Sequence, residues 1–352
     1  MINTDSGIYR MIDANVDRSA EALRVVGDVA RFVLDDTALA HSWRTIRGDM
    51  WKIIGAVPGL QKRGVESRDS VGDVGREFKA QPHSSLVDMT RSNIHRAQES
   101  FRVLEETFRM VDASAVTQFS QLRYRCYDLE PPTFAGLEKW AHNQKLDFNL
   151  YVVLGNEFSK GRDFDEVARK AIDGGAGCIQ LRDKDMPKRE MLEWAYRLRE
   201  LTLERNVTFI MNDHLDIALA VGADGVHLGQ EDFPIAEARR IVGPNFIIGS
   251  STHSVDEAKC AVKEGASYIN IGPIFATQTK KNVSAPVGSD LITEITSQVN
   301  CPFTVMGGIK IDNVDQPLKQ GARRIAVVTA VVGQDDITAA AQAFTDKIKI
   351  YL

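Results

Sequence analysis

Polar and charged side chains follow a short apolar run in the C-terminal part of the chain. Residues 180–184 read Gln-Leu-Arg-Asp-Lys, and alternation along an extended segment directs Gln180, Arg182 and Lys184 to one side. An arginine that binds in a bidentate manner and a lysine that acts as a point charge together suit a polyanion. The segment therefore predicts a binding site for a polyanionic group.

Two acidic side chains follow the next two apolar runs. Asp213 stands in the segment Asn-Asp-His at 212–214, and Asp232 ends the segment Gln-Glu-Asp at 230–232. Two carboxylates beside bound phosphate are the usual protein ligands of Mg²⁺, which keeps several of its waters. Taken alone, either aspartate is as typical of a helix N-cap as of a metal ligand. Together with the neighbouring cations, the two carboxylates predict a Mg²⁺ site.

Hydroxyls and cations follow two later runs. Residues 249–253, Gly-Ser-Ser-Thr-His, could donate hydrogen bonds to a heterocycle. Residues 272–281, Gly-Pro-Ile-Phe-Ala-Thr-Gln-Thr-Lys-Lys, combine two hydroxyls with two cations. We interpret this second segment as a lid that binds an anion, with a solvated basic loop as the alternative.

A second anion site is predicted near the C-terminus. Gly307 and Gly308 lack a Cβ atom, so their backbone N–H groups can approach an anion closely. Backbone N–H groups of this kind, together with the N-terminus of a following helix, commonly bind phosphate. With the cationic segment 180–184, the sequence predicts two anion sites and therefore two phosphorylated substrates.

Three histidines near the same loops are candidates for acid–base chemistry, namely His214, His227 and His253. A histidine at a strand end is more often a hydrogen-bonded structural residue. No nucleophilic triad emerges from the sequence. We therefore expect catalysis by positioning and charge stabilisation.

Eight short runs rich in Val, Ile and Phe predict the strands that position these loops. Segments with helical spacing, such as 163–173 and 187–204, separate them. Parallel strands joined by helices predict an α/β fold of the (β/α)₈ TIM-barrel type. A doubly wound open sheet is the alternative, but the first turn lacks G-x-G-x-x-G. The predicted strands are 148–154, 177–182, 207–212, 225–228, 246–250, 268–272, 303–306 and 325–329.

The first 130 residues predict helices and contain an internal repeat. The pattern Asn-x-x-Arg-x-x-Glu-x-x-Arg occurs at 15–24 and again at 93–102. Each copy fits an amphipathic helix with alternating charge on its polar side. That side is either a solvated face with intrahelical ion pairs or, where two such helices face each other, an anion site. A glycine-containing loop at 68–76 could approach a phosphate but matches no Walker-type pattern.

The paired prolines at 131 and 132 mark the predicted boundary between the two parts, because proline does not continue a helix. We expect a mainly α-helical domain over 1–130 and a linker over 131–147. The barrel is expected over 148–352.

Composition excludes several classes of protein. The 352 residues carry 43 Lys plus Arg and 48 Asp plus Glu, so no strong basic field favours nucleic acid or a membrane surface. No run approaches the ~18 uncharged apolar residues of a membrane span. Four dispersed cysteines without C-x-x-C argue against disulfides and thiolate metal sites. We expect a cytoplasmic enzyme whose partners are small-molecule substrates, with a homo-oligomer left open.

Five motifs, in this order, resemble those of thiamine phosphate synthases, at 180–184, 212–213, 225–232, 272–281 and 307–309. The resemblance covers essentially all of 145–352. It implies a transferase of thiamine biosynthesis that joins hydroxymethylpyrimidine diphosphate to thiazole phosphate, or to its carboxylated form. Diphosphate is released, together with CO₂ from the carboxylated thiazole. The implied mechanism is dissociative and Mg²⁺-assisted.

The same resemblance implies roles for individual residues. The pyrimidine diphosphate would contact Gln180, Arg182, Lys184, Asn212, Ser251 and Lys280. The catalytic residues among these would be Arg182, Lys184, Ser251 and Lys280. The Mg²⁺ ligands would be Asp213 and Asp232. The thiazole phosphate would contact Thr277, Thr279, Gly308, Val328 and Thr329.

Residues 1–130 resemble a helical domain that is fused to this synthase in some bacteria and proposed to be an alternative phosphomethylpyrimidine kinase. The resembling segments are 9–18, 21–25, 68–75 and the second repeat. No nucleotide-binding loop supports a kinase independently, so a non-catalytic dimerisation or sensing module is the alternative. For the barrel, the alternative is a thiazole tautomerase, which needs an acid–base residue such as His253 and no diphosphate site.

Overall fold

The structure is a computed structural model that describes residues 4–69, 82–277 and 285–352. The chain forms two compact units, Met1–Ala141 and His142–Leu352, and each has its own apolar core. The first unit is helical and the second is an α/β barrel. The predicted fold class is therefore confirmed.

The helical unit contains two packed copies of the sequence repeat. Helix α1 (Thr4–Phe32) packs along α4 (Leu86–Val111), and each helix carries one copy. At equivalent positions of the repeat, Asn15 and Asn93 each donate a 2.8 Å hydrogen bond to the carbonyl four residues earlier. The sequence repeat is thus also a structural repeat. The remaining helices are α2 (Thr37–Ala56), α3 (Leu60–Glu66) and α5 (Val116–Lys145), with a 3₁₀ turn at Ala113–Ala115.

The charged side of each repeat is exposed. The guanidinium of Arg24 lies 3.9 Å from the carboxylate of Asp28, and that of Arg102 lies 2.8 Å from Glu106. Both pairs have the i,i+4 spacing that stabilises a helix by about 0.2–0.5 kcal/mol. Of the two interpretations of the repeat, these contacts favour the solvated face.

The prediction that the paired prolines end a helix was wrong. Pro131 and Pro132 both lie inside α5, which continues to Lys145. The expected linker over 131–147 is therefore almost entirely helical. The division between the two compact units falls after Ala141, later than the prolines predict.

Tertiary packing explains why α5 tolerates two prolines that cannot donate backbone hydrogen bonds. Cys126 is buried before them and Leu137 after them, so the helix is held on both sides. Between these anchors, the Thr133 hydroxyl donates to the carbonyl of Leu129 at 2.7 Å and accepts from the indole N–H of Trp43 at 3.1 Å. The contact with Trp43 joins positions 90 apart in sequence, so the local proline pattern could not reveal it.

The second unit is a closed barrel of eight parallel strands in the order β1 to β8, with β8 paired to β1. This closure excludes the open sheet, and every predicted strand is present. The strands are β1 (Leu150–Leu154), β2 (Cys178–Leu181), β3 (Thr208–Asn212), β4 (Gly225–Leu228), β5 (Ile247–Thr252), β6 (Tyr268–Ile271), β7 (Phe303–Val305) and β8 (Ile325–Val327). The helices are α6 (Phe164–Asp173), α7 (Lys188–Glu204), α8 (Leu215–Val221), α9 (Ile235–Val242), α10 (Val255–Glu264), α11 (Asp290–Thr296), α12 (Asp315–Lys319) and α13 (Ile337–Lys349).

Side-chain alternation along the strands separates an inner core from an outer one. On β1, Val152 packs in the outer core, whereas Tyr151 belongs to the inner cluster. The inner face becomes polar toward the carboxyl ends of the strands. On β2, for example, Cys178 of the inner cluster is followed two residues later by the buried Gln180. Polar side chains therefore gather at the end where the strand-to-helix loops emerge.

None of the described helices is both long enough and apolar enough to cross a membrane.

Candidate functional site

A cavity of about 1020 Å³ opens at the carboxyl ends of the barrel strands. Residues from all eight strand ends line it, so side chains that are distant in sequence converge there. The predicted site residues in its wall are Gln180, Arg182, Lys184, Asn212, Asp213, Asp232, Ser251, Thr277, Gly308, Val328 and Thr329. Two further predicted residues, Thr279 and Lys280, lie outside the residues that the structure describes.

The end of β2 places its side chains as alternation predicts. Arg182 and Lys184 line the cavity, whereas Asp183 turns away and accepts N–H bonds from Asn156, Asp185 and Met186. Gln180 is only 2% exposed, and within the described residues its side-chain NH₂ has no hydrogen-bond partner. A buried polar group of this kind is normally paired, so this amide has the environment of a ligand-binding donor.

Asp213 and Asp232 lie close enough for their carboxyl groups to share a hydrogen bond. Burial, followed by the neighbouring Asp232, raises the pKa of Asp213 to about 6. Burial would also raise the pKa of Asp232, but hydrogen bonds from Asp213 and from the backbone N–H of Gly229 outweigh it and lower that pKa. The ammonium of Lys184 lies 3.5 Å from Asp213. The pair is thus poised to share a proton or a cation.

The backbone around the two carboxylates is specialised for this placement. Asp213 has a φ of 61°, in the left-handed region that few residues other than glycine, asparagine and aspartate adopt. Its N–H donates to the carbonyl of His227 at 2.9 Å, which links the ends of β3 and β4. Asp232 accepts the N–H of Gly229 at 2.6 Å. Neither carboxylate caps a helix, since the N-cap residues of α8 and α9 are His214 and Pro234.

The donor set fits a hard divalent cation. Two adjacent carboxylates supply oxygen ligands, and burial followed by the neighbouring Asp232 raises the pKa of Asp213. Across the described ranges no group of three or more His, Cys, Asp or Glu side chains has metal-binding geometry. A bound Mg²⁺ would therefore take its other ligands from water and from substrate, as this ion commonly does.

The loops after β7 and β8 form a site lined mainly by backbone. Gly308 has a φ of 63°, and a Cβ there would lie 2.5 Å from the carbonyl oxygen of Ala276. The Asn313 side chain donates to the Gly308 carbonyl at 3.0 Å and accepts the N–H of Lys310 at 2.8 Å, which fixes the loop. In the described part of the chain, the N–H groups of Gly308 and Thr329 have no acceptor. Such N–H groups can hold an anion.

The three histidines have different environments. The ring of His227 is 8% exposed and lies between Tyr268 and Ser251, with Nδ1 2.9 Å from the Tyr268 hydroxyl and Nε2 3.0 Å from Ser251 Oγ. His253 lines the cavity and is held by Glu257, 2.9 Å from Nδ1. His214 precedes α8 and is not among the cavity-lining residues. His227 is hydrogen-bonded and also faces the site.

Several lining residues were not singled out from the sequence, among them Asn270, Gln230 and Lys310. Asn270 accepts the Thr304 hydroxyl at 2.8 Å. Strand alternation could have identified Asn270 from the sequence, because it follows Tyr268 by two residues on β6 and therefore points inward as Tyr268 does. Lys310 lies beyond the end of a strand, where alternation gives no prediction.

The helical unit has a smaller cavity, of about 400 Å³, in which charged groups pair with one another. Its wall is formed by His95, Gln98, Glu99, Arg102, Arg123 and Tyr127. Arg123 donates to Glu105 at 2.6 Å, and Gln98 donates to Glu130 at 2.8 Å. Arg68, at the start of the glycine-containing segment, contacts Asp13 and Asp17, and the rest of that segment from residue 70 onward lies outside the described residues.

The closed parallel barrel, with paired carboxylates and cations around one mouth, defines a (β/α)₈-barrel enzyme. The family model "Thiamine monophosphate synthase" matches residues 150–331. The chain belongs to the thiamine-phosphate synthase family and is an enzyme of the transferase class. Residues 10–132 match the ThiD2 family model, so the resemblance of the N-terminal part to a separate family is also confirmed.

Similar proteins support the assignment to the synthase family. A thiamine-phosphate synthase of Gloeobacter violaceus is 36% identical over 332 residues, which are 94% of this chain and 93% of that protein. One from Shouchella clausii is 48% identical over 196 residues, which are 56% of this chain and 94% of that protein. The solved structure of thiamine phosphate pyrophosphorylase from Pyrococcus furiosus has a TM-score of 0.55 and 38% identity, and the match covers 60% of this chain and all of that one.

Proposed function

We propose that the barrel joins 4-amino-2-methyl-5-(diphosphooxymethyl)pyrimidine to thiazole phosphate, giving thiamine phosphate and diphosphate. With the carboxylated thiazole phosphate, CO₂ is a third product. The observation that carries this proposal is the convergence of Arg182, Lys184 and the Asp213–Asp232 pair in one cavity opposite the backbone site at Gly308. One end of the cavity thus suits a diphosphate, and the other suits a single phosphate.

The cationic end accounts for the diphosphate substrate. Arg182 offers a planar, forked donor and Lys184 a compact charge, a combination that favours phosphate oxygens. Gln180 and Asn212 face the same space, and the unpaired amide of Gln180 can donate to a ring or phosphate acceptor. We assign Lys280 to the same diphosphate, and Thr277 and Thr279 to the thiazole phosphate, on the motif that they share with the family.

We propose Asp213 and Asp232 as ligands of Mg²⁺. When bound, the ion would neutralise charge on the departing diphosphate. The protein's part is to hold two carboxylates together, and burial followed by the neighbouring Asp232 raises the pKa of Asp213. Lys184, 3.5 Å from Asp213, supplies further positive charge on the same side.

We propose a dissociative reaction in which the C–O bond to diphosphate breaks before the new C–N bond forms. The aminopyrimidine ring then carries the positive charge of its methylene carbon, and the thiazole nitrogen attacks that carbon. The nucleophile belongs to the substrate, so the protein needs no acylated or phosphorylated side chain. Its contribution is orientation and electrostatic stabilisation.

The proposal is tested by supplying the purified full chain with the pyrimidine diphosphate, Mg²⁺ and one of the two thiazole phosphates, plain or carboxylated. The amounts of thiamine phosphate and diphosphate formed are then measured. We expect both products in equal amounts, and no turnover after chelation until Mg²⁺ is restored. Turnover in excess chelator would contradict the metal assignment. Isomerisation of a thiazole phosphate without diphosphate release would instead identify a tautomerase.

For residues 1–130 we propose a phosphomethylpyrimidine kinase-like activity that would supply the barrel with its diphosphate substrate. The support is the match to the ThiD2 family model. Incubation of the full chain with hydroxymethylpyrimidine phosphate, ATP, thiazole phosphate and Mg²⁺ tests it. Thiamine phosphate formed without added pyrimidine diphosphate would support a second activity. If no thiamine phosphate forms in this mixture although the barrel is active with added pyrimidine diphosphate, a dimerisation or sensing module is favoured.

A truncated chain separates these roles further. The end of α5 belongs to the barrel unit, because the Lys145 carbonyl accepts the Thr208 hydroxyl at 2.6 Å. A deletion should therefore retain residues 138–352. Unchanged synthase kinetics with a lower oligomer mass would indicate that the helical unit holds a homo-oligomer together.

We place the enzyme in the cytoplasm, where its four free cysteines would remain reduced.

A further inference from the structure

Four buried side chains form a continuous hydrogen-bonded chain across the inside of the barrel. The hydroxyls of Tyr151 and Tyr268 are 3.1 Å apart, and Tyr268 lies 2.9 Å from Nδ1 of His227. Nε2 of His227 lies 3.0 Å from the hydroxyl of Ser251. All four residues are at most 8% exposed, and Ser251 lines the cavity. The chain thus links the interior to the substrate site.

The fold makes room for this chain at one position. A Cβ atom at Gly249 would lie 2.1 Å from the ring of Tyr268, so any other residue would displace that tyrosine. Gly249 and Ser251 are two residues apart on β5 and share the inward face. The same strand therefore accommodates the tyrosine and presents the serine.

The direction of the hydrogen bonds follows from counting protons. If Tyr151 donates to Tyr268, then Tyr268 can donate to Nδ1 of His227, and the Nε2–H of the neutral ring donates to Ser251. Every buried proton then has an acceptor. The proton of Ser251 alone remains, and it lies at the cavity wall.

The reverse direction leaves a buried proton without a partner. If Ser251 donates to Nε2, then Nδ1–H must donate to Tyr268, and Tyr268 to Tyr151. Within the described residues the Tyr151 hydroxyl has no other hydrogen-bond partner, and the residue is 1% exposed. A doubly protonated His227 has the same defect, since Nδ1 would again donate. An unpaired buried donor disfavours both arrangements.

We propose that Tyr268 and His227 are positioning residues that fix Ser251 as a hydrogen-bond donor to the substrate. The neutral ring of His227 is protonated at Nε2, and the Ser251 proton points to an acceptor atom of the bound pyrimidine diphosphate. The identity of that substrate rests on the proposed function. The direction of the hydrogen-bonded chain does not.

Nitrogen NMR of the histidine rings in the full chain tests the direction. The His227→Gln variant assigns the His227 signals, and we expect a protonated Nε2 and an unprotonated Nδ1. His253 is the internal reference, because its Nδ1 must donate to the Glu257 carboxylate. Nitrogen shifts showing a protonated Nδ1 at His227 would overturn the proposal, whatever the enzyme's activity.

Kinetics of Tyr268→Phe test the consequence for the substrate. This variant keeps the ring but removes the donor to His227, and we expect kcat/KM for the pyrimidine diphosphate to fall about tenfold. In a Ser251→Ala background the same change should have little further effect, because the donor that it positions is gone. Tyr196→Phe, on an exposed tyrosine of α7, is the control and should retain full activity.

Full additivity of the Tyr268 and Ser251 changes would contradict the positioning role even if both variants were impaired. If Tyr268→Phe does not fold, Tyr151→Phe provides a second test. It removes the first donor of the chain but leaves Tyr268 able to donate to His227. The proposal therefore requires that the His227 ring in Tyr151→Phe stay protonated at Nε2, and a change of tautomer would refute it.

Discussion

The helical unit and the barrel differ in how the polar groups beside their cavities are paired. In the helical unit, Ser19 and Thr90 donate to backbone carbonyls of their own helices, and the carboxylate of Glu105 is held by Arg123. In the barrel, the Gln180 amide and the Asp213–Asp232 pair face a cavity instead. In the described part of the first unit, every buried side-chain polar atom has a partner. The second unit also pairs buried polar groups such as Tyr151 and Tyr268, but it leaves the Gln180 amide at the cavity wall for a ligand.

This difference shows which charges belong to the fold and which to the chemistry. A polar group whose donors and acceptors are all paired inside the protein specifies a structure but has nothing left to offer a ligand. A polar group held unpaired at a cavity wall is disfavoured until a ligand arrives. The number of charged residues is therefore a poor guide to function, and their partners are a better one.

The largest effect on turnover is expected from Asp213→Asn. The variant removes a carboxylate from the proposed Mg²⁺ site but keeps a side chain that can donate to Asp232. We expect turnover to fall by about 10²–10³-fold, measured in steady-state assays at several Mg²⁺ concentrations. Asp216→Asn is the matched control, because Asp216 lies outside the cavity and pairs with Lys188. Wild-type turnover in Asp213→Asn would remove the metal assignment.

The same variant should be more stable than the wild type in the absence of metal. The pKa of Asp213 is raised to about 6, so stability that is present at low pH is lost as the pH rises through that value. The amide introduced by the substitution does not ionise and escapes this loss. In urea unfolding with a chelator present, the free energy of unfolding of the variant should exceed that of the wild type at pH 8, and by much less at pH 4. A variant that is more stable than the wild type only at pH 4 would contradict the expected pH dependence.

A change to Glu105 should reduce the stability of the helical unit without touching the chemistry of the barrel. Glu105→Gln keeps the size of the side chain but leaves the mostly buried Arg123 without its carboxylate. Breaking a buried pair in this way costs about 3–5 kcal/mol, which chemical unfolding of the full chain would measure. Glu106→Gln, at an exposed neighbour, should cost far less. Equal losses in the two variants would show that burial of the pair is unimportant.

Arg182→Gln should affect binding of the diphosphate. Charge-assisted hydrogen bonds contribute about 1.5–3 kcal/mol each, so we expect kcat/KM for the pyrimidine diphosphate to fall about 10–100-fold. Arg189→Gln, on the exposed side of α7, provides the comparison. An effect limited to thermal stability, with unchanged kinetics, would place Arg182 among the structural charges.

The smallest effect is expected at the exposed face of the repeat. Arg24→Gln breaks a 3.9 Å pair between side chains that are 73% and 53% exposed. Such pairs contribute about 0.2–0.5 kcal/mol, so unfolding should shift by no more than that and by less in high salt. A loss above about 1 kcal/mol, or a loss of turnover, would mean that this face has a partner.

The barrel was predictable because its signals are local. Alternation on a strand directs Gln180 and Arg182 to one face, and closure of the barrel brings those faces together. The prediction that Pro131 and Pro132 end a helix was wrong for the opposite reason, because contacts that hold α5 in place come from distant residues. The hydrogen bond between Tyr151 and Tyr268 joins positions 117 apart, and no local pattern specifies it.

Burial of the Gln180 amide has a consequence for inhibitors. The folded protein has already stripped water from this donor, so a compound with a lone pair at the facing atom gains a hydrogen bond with little dehydration on the protein side. A compound with a methyl group there leaves the donor unmatched. Two inhibitors that differ by that single atom should therefore differ in affinity by about one to two orders of magnitude.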